Sequence, residues 1–137
     1  MIESAAPGIF TANSDGKGVP AAQALHVKPD GSQTAENVFR CGAAAGSCAP
    51  VPIDLGADPE RVYLLLYATG ARHCDYVSAN IGGVDAGFFP AVAQSQFAGL
   101  DQVNVLLPRQ LAGRGDVDLT LHSVCGRTSN AVRISIK

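Results

Sequence analysis

Tryptophan is absent from the 137-residue chain, methionine occurs once, and Asp, Glu, Lys and Arg together make up only 16% of it. So little charge beside 47% apolar residues excludes a disordered chain, which combines low hydrophobicity with high charge. The ten Lys and Arg are scattered and offset by twelve Asp and Glu, so no basic footprint for nucleic acid is present. No apolar run approaches the ~18–20 residues of a membrane-spanning helix. Met1-Ile2-Glu3-Ser4 has no basic region leading into an apolar stretch, so no signal peptide is expected. Helical signal is scarce as well. Gln94–Leu100 and Pro108–Ala112 have room for one turn each, too little for a stable helix.

What the chain does have is punctuation: fifteen glycines and eight prolines between short apolar runs. Its length suits one domain, residues 1–137, with a core of its own and no need of a metal. The periodicity is mostly two. Val117-Asp118-Leu119-Thr120-Leu121-His122 alternates strictly, and Val132-Arg133-Ile134-Ser135-Ile136-Lys137 repeats the pattern. Each predicts a strand with one face in a core and one in water, and the turn formers between them predict a hairpin. Arg61–Tyr67 is apolar on both faces and predicts a central strand covered on both sides; Gln102–Leu107, stopped by Pro108, reads similarly. Val77–Ile81, Gly82-Gly83 and the run through Phe88 and Phe89 predict another hairpin, whose second strand Pro90 should restrict to an edge or kink. Ala22–Val27 predicts a strand ending in the turn Pro29-Asp30-Gly31-Ser32, Ile53–Leu55 a brief one, and Asn13–Gly18 a surface loop. The fold class that follows is all-β: an immunoglobulin-like antiparallel β-sandwich of about 7–9 short strands with little helix.

The four cysteines stand at 41, 48, 74 and 125, with no C-x-x-C and no tight Cys/His knuckle. The zinc signature is therefore missing, and no metal is expected. Disulfides, reduced thiols and a metal site are the three states open to them. Of the three possible connectivities, Cys41–Cys48 and Cys74–Cys125 are favoured. The first spans small flexible residues, Gly42 to Ser47; the second would join the loop after the central strand to the C-terminal hairpin. Such bonds persist only in an oxidising compartment.

Catalytic signatures are weak. Arg72-His73-Cys74-Asp75 is the most reactive-looking cluster, but adjacent residues of an extended loop point in different directions, and a bridged Cys is not a nucleophile. If Cys74 and Cys125 are bonded, His73 and His122 come within reach of each other as a surface pair. Asp54, Asp58 and Glu60 around Gly56 lack the EF-hand spacing and read as solvated turn residues. Asp15-Gly16-Lys17-Gly18 is not a phosphate loop, and no G-x-S-x-G elbow occurs. No catalytic residue and no cofactor are expected, and the chain is not read as an enzyme. Of the aromatic residues Tyr63, Tyr67, Tyr76, Phe88 and Phe89, most are needed for a core in a chain without Trp. Tyr76, Phe88 and Phe89 are the candidates for ligand contact, as a sugar-stacking surface.

From Ala6-Pro7-Gly8-Ile9-Phe10-Thr11-Ala12-Asn13 onward the order of motifs resembles the Solibacter-type C-terminal domain family, β-rich modules ending large secreted bacterial proteins. The likeness runs through Gly16–Ala22, Pro29–Ser32, Val51–Gly56, Val62–Gly70, Ile81–Gly83 and the long signature Phe97-Ala98-Gly99-Leu100-Asp101-Gln102-Val103-Asn104-Val105, then Leu107–Arg109 and Leu111–Val117. Cysteine-bearing Arg40–Cys48 and Arg72–Asp75, and Cys125, depart from the family's pattern. The resemblance implies an extracellular or cell-surface β-sandwich module with no assigned catalytic residues. Residues 1–5 would be the tail of a preceding strand or linker. The expected function is a non-catalytic structural or interaction module serving assembly, spacing or adhesion. Its expected partners are other protein modules or sister chains, by edge-strand pairing, with no nucleic acid and no membrane span. The alternative is an accessory module of a secreted enzyme that binds carbohydrate, such as extracellular polysaccharide, or a small ligand.

Overall fold

The computed structural model describes residues 8–14, 16–44, 46–69, 76–93, 100–123 and 126–137. Among them are the strands β1 (Gly8–Ile9), β2 (Gln23–Val27), β3 (Gln33–Asn37), β4 (Phe39–Arg40), β5 (Ala49–Pro50), β6 (Arg61–Thr69), β7 (Tyr76–Ile81), β8 (Val84–Ala93), β9 (Asp101–Leu106), β10 (Gly115–Ser123) and β11 (Val132–Ile136). A 3-10 turn, Arg109–Leu111, follows Pro108. The molecule is all-β. Residues 1–5, His73, Cys74, Cys125 and most of Gln94–Leu100 lie outside the described residues.

One antiparallel sheet runs in the order β11-β10-β7-β8-β9-β6-β2-β3, with β1 beside β6, and β4–β5 forms a small separate ribbon. β8 makes the corner: it is paired with β7 from Val84 to Pro90 and with β9 from Ala91 to Ala93. The sheet therefore curls into a sandwich-like body, and the inward side chains of both halves meet in one core. Strict alternation supplies that core. Val62, Leu64, Leu66 and Ala68 of β6, Val77, Ala79 and Ile81 of β7, Leu119 and Leu121 of β10, and Val132, Ile134 and Ile136 of β11 are all buried. Each large aliphatic among them contributes about 1.5–3 kcal/mol by leaving water.

Two expectations change. The strand beginning at Arg61 is central, but only one of its faces is in the core. Tyr63, Leu65 and Tyr67 are half-buried on the other face and do not join the core cluster. A body of two layers covers one side of each strand; on the open side these large side chains shield one another and their register neighbours Leu25 and Leu106. Pro90 stands at the expected kink, where β8 leaves β7 and turns to β9. It occupies the last register position with β7, one residue before the β9 ladder begins, where a missing donor costs least. Ile53–Leu55 is not a strand; Ile53 alone makes a parallel bridge to Ile136.

Side chains fix the loops. The turn after β2 closes with Gly31 at φ 87°, and Asp30 accepts from the Ser32 hydroxyl and amide. Those bonds, the hydroxyl's first, hold the Asp30 carboxyl below its ordinary range. Asn13 pairs with the Cys48 backbone, its Oδ1 accepting from N–H at 2.8 Å and its Nδ2 donating to C=O at 3.1 Å. Cys48 is bonded to Cys41, closing the loop after β4 with the two Cα atoms 3.9 Å apart. Asp54 and Asp58 are exposed turn residues, as expected, whereas Glu60 is half-buried and lies 3.5 Å from His26. Arg109 threads its guanidinium among the carbonyls of Leu55, Gly56 and Glu60, pinning that loop to the 3-10 turn.

Candidate functional site

Large apolar side chains left in water are the feature of this surface that packing does not explain, and three of them share one place. Tyr76 is 52% exposed, Phe88 67% and Val92 50%. Their strands form a hairpin through Gly82 and Gly83, both at positive φ as a tight primed turn requires. On β7 the alternation is unambiguous: Val77, Ala79 and Ile81 point in, so Tyr76, Ser78 and Asn80 point out.

β8 is less regular, and its irregularity builds the site. Val84 and Ala86 pack against the core, so unbroken alternation would send Phe88 inward too. Register instead jumps between Ala79–Gly87 and Asn80–Asp85, leaving Ala86 as an extra residue. Gly87 accommodates that bulge at φ 106°, and its N–H is held by Asp85 Oδ1 at 2.9 Å. Beyond a one-residue bulge every side chain changes face. Phe88, Pro90 and Val92 consequently point outward, while Phe89 and Ala91 pack against the core.

On the outer face Tyr76 stands directly opposite Pro90, with Phe88 and Val92 its diagonal neighbours at about 7–8 Å. The strip is rimmed by polar groups. Ser78 lies opposite Phe88, His122 opposite Ser78 and Gln102 opposite Val92. An apolar patch inside a polar rim is the usual anatomy of a docking surface. It is open to solvent.

Of the three expected contact residues, the structure places Tyr76 and Phe88 together on this face and Phe89 on the other, where strand alternation turns it inward. Val92 and Pro90 are members that sequence reasoning passed over. The signal was available in the period-two series Phe88-x-Pro90-x-Val92, which continues past the run through Phe88 and Phe89. His122 is engaged at both ring nitrogens by threonine hydroxyls, Nε2 with Thr120 at 3.2 Å and Nδ1 with Thr128 at 2.9 Å. Its proposed partner His73 is outside the described residues, as are both members of the Cys74–Cys125 pair.

A third histidine, His26, stands between two carboxylates. His26 Nε2 lies 2.9 Å from Glu36 Oε1, and its Nδ1 lies 3.5 Å from Glu60 Oε2. The carboxylates sit on opposite sides of the ring, so the two ring nitrogens cannot serve one ion; the arrangement ties β3 to the loop before β6. Among the described residues no group of three or more His, Cys, Asp or Glu is placed to hold a metal. An open cleft where β8 and β9 part is lined by Asp58, Arg61, Asp85, Leu106 and Arg109, with the Arg109 guanidinium already engaged by carbonyls. No helix of the described residues is long and apolar enough to cross a membrane. No protein-family model, no curated protein and no solved structure matches the chain.

Proposed function

We propose that the chain is a non-catalytic, immunoglobulin-like interaction module acting outside the cell or at its surface, and that it docks other protein modules through the outer face of the β7–β8 hairpin. The observation that carries this is the strip of Tyr76, Phe88, Pro90 and Val92, where a bulge in β8 turns the last three outward beside Tyr76 of β7. The Cys41–Cys48 bond supports the compartment, because disulfides persist where the surroundings are oxidising. The motif resemblance to secreted bacterial modules points the same way.

One observation favours a second reading, a carbohydrate-stacking surface. Tyr76 and Phe88 are diagonal neighbours on one face, spaced so that both rings can meet a sugar chain. One experiment addresses both. Tyr76→Ser and Phe88→Ser remove exposed side chains, so each variant should keep its fold to within about 0.5 kcal/mol. Wild type and variants are compared for binding to immobilised cell-surface proteins and to soluble plant and bacterial polysaccharides, with amide shifts of residues 76–92 followed by NMR. The module reading expects protein binding that falls tenfold or more in the variants. Binding confined to polysaccharide moves the assignment to the second reading, and variants that bind every probe as wild type does would refute both.

A further inference from the structure

The sheet path has two ends, and they are treated differently. On the open side of β11, Ile53 N–H donates to Ser135 C=O at 2.8 Å, Lys137 N–H to Ile53 C=O at 2.9 Å, and Arg133 N–H to Gly18 C=O at 2.7 Å. Loop backbone thus covers that edge. β3, at the other end, has β2 on one side, and among the described residues no strand is paired on the other. All five of its residues are exposed.

Which backbone groups are free follows from the ladder. Lys28 N–H donates to Ser32 C=O at one end of the β2–β3 pair, and Val38 N–H donates to Ala22 C=O at the other. Carried through the register, with Thr34 opposite His26 and Glu36 opposite Ala24, these bonds aim Thr34 and Glu36 at β2. Antiparallel pairing alternates, so Gln33, Ala35 and Asn37 aim their N–H and C=O groups outward, away from β2. Their side chains are neutral, and the usual protections of an edge are missing from this side: no lysine, no proline and no bulge.

We propose that β3 pairs with the β3 of a second copy of this chain, antiparallel about a two-fold axis at Ala35. That register uses every outward group. Ala35 meets its own counterpart and Gln33 of each copy meets Asn37 of the other, on the order of six hydrogen bonds in all. Thr34 of each copy lies opposite Glu36 of the other, so no like charges are directly opposed. Glu36 is in turn held by His26 at 2.9 Å. The axis also continues an apolar row. Leu106, Tyr63, Leu25 and Ala35 stand side by side on the outer face of the sheet, and the row ends at Ala35. A second copy brings the matching end of the same row, which an unrelated extended peptide does not. A five-residue ladder falls well short of the ~800 Å² per partner of a stable interface, so the association is a concentration-dependent equilibrium.

This inference names the sister chain as a partner of the interaction module proposed above, but rests on a different surface. Sedimentation velocity over a concentration series tests it, on wild type, Ala35→Glu, Ala35→Lys, an equimolar mixture of those two, and Phe88→Ser. Wild type and Phe88→Ser should dimerise alike, each Ala35 variant alone should stay monomeric, and the mixture should dimerise again, because like charges face at the axis in the first case and opposite charges in the second. Amide exchange on wild type needs no variant to fold: Gln33, Ala35 and Asn37 should gain protection as concentration rises, with Thr34 and Glu36 protected throughout. A wild-type chain monomeric at every concentration, Ala35 variants that dimerise normally, or a mixture that stays monomeric would each overturn the pairing. Loss of the dimer in Phe88→Ser alone would overturn it too, while leaving the hairpin face as the interaction surface.

Discussion

Replacing Asn130 by alanine removes three hydrogen bonds at once. Its Oδ1 accepts from Ile9 N–H at 2.7 Å, and its Nδ2 donates to Ile9 C=O at 3.1 Å and to Gly16 C=O at 2.8 Å. One side chain from the C-terminal hairpin thereby stands in for a strand beside β1 and clamps the loop that follows. At a net 0.5–1.5 kcal/mol per bond, half-buried, the loss should come to about 2–3 kcal/mol. For a chain of this length that is a fall in Tm of roughly 3–4 °C per kcal/mol. Asn130→Asp should be worse at neutral pH. It keeps the acceptor for Ile9 N–H but aims a carboxylate oxygen at two carbonyl oxygens, adding about 1 kcal/mol or more. The sign with pH follows. A carboxyl facing carbonyls is protonated more readily in the folded chain than in the unfolded one, so its folded pKa is raised; the extra penalty is complete above that pKa and is relieved as pH falls through it. Urea unfolding of wild type and both variants at neutral and acid pH measures this, each variant being compared with wild type at the same pH. An alanine cost below about 0.5 kcal/mol, or an aspartate no worse than alanine at neutral pH, would refute the clamp.

Gly87→Ala should cost about 1–2 kcal/mol although a Cβ there meets nothing closer than Phe89 Cζ at 3.9 Å, because the expense is the backbone at φ 106°; chemical denaturation measures it, and a neutral result would mean the bulge relaxes. Replacing both Cys41 and Cys48 by serine opens a loop of sequence separation 7 and should lower stability by about 2.5 kcal/mol on chain-entropy grounds, read from the urea midpoint against the oxidised protein. In Ser32→Ala the Asp30 carboxyl loses its principal hydrogen bond, so its NMR titration should move up toward the ordinary carboxylate range. Because that carboxyl is depressed in the folded chain, its stabilising effect is present above the unfolded pKa and lost as pH falls through the folded one, and the variant should show less of that loss. An Asp30 titration unchanged by Ser32→Ala would show that the backbone bond alone sets it.

Strands with a buried face were legible because burial imposes a period of two, and Val117–His122 and Val132–Lys137 show it without interruption. Arg61–Tyr67 was legible as a strand but not in its surroundings: Tyr63, Leu65 and Tyr67 are apolar enough to be core, yet they shield one another on an open sheet face. β3 was illegible for the opposite reason. Gln33-Thr34-Ala35-Glu36-Asn37 is exposed on both faces, so burial imposes no pattern, and its pairing is set by the turn at Pro29–Ser32 and by its neighbour. Asn13 and Asn130 carried no local signal either, since each acts on backbone distant in sequence. The candidate site falls at the point where alternation fails. Counting by twos from Val84 puts Phe88 inside, and only the extra residue at Ala86, made possible by Gly87, puts it out. Regular alternation is consumed by the core. Among the described residues, surfaces free to bind something else are therefore left to the bulge, which redirects Phe88, and to the edge, where no described strand pairs with Gln33, Ala35 and Asn37.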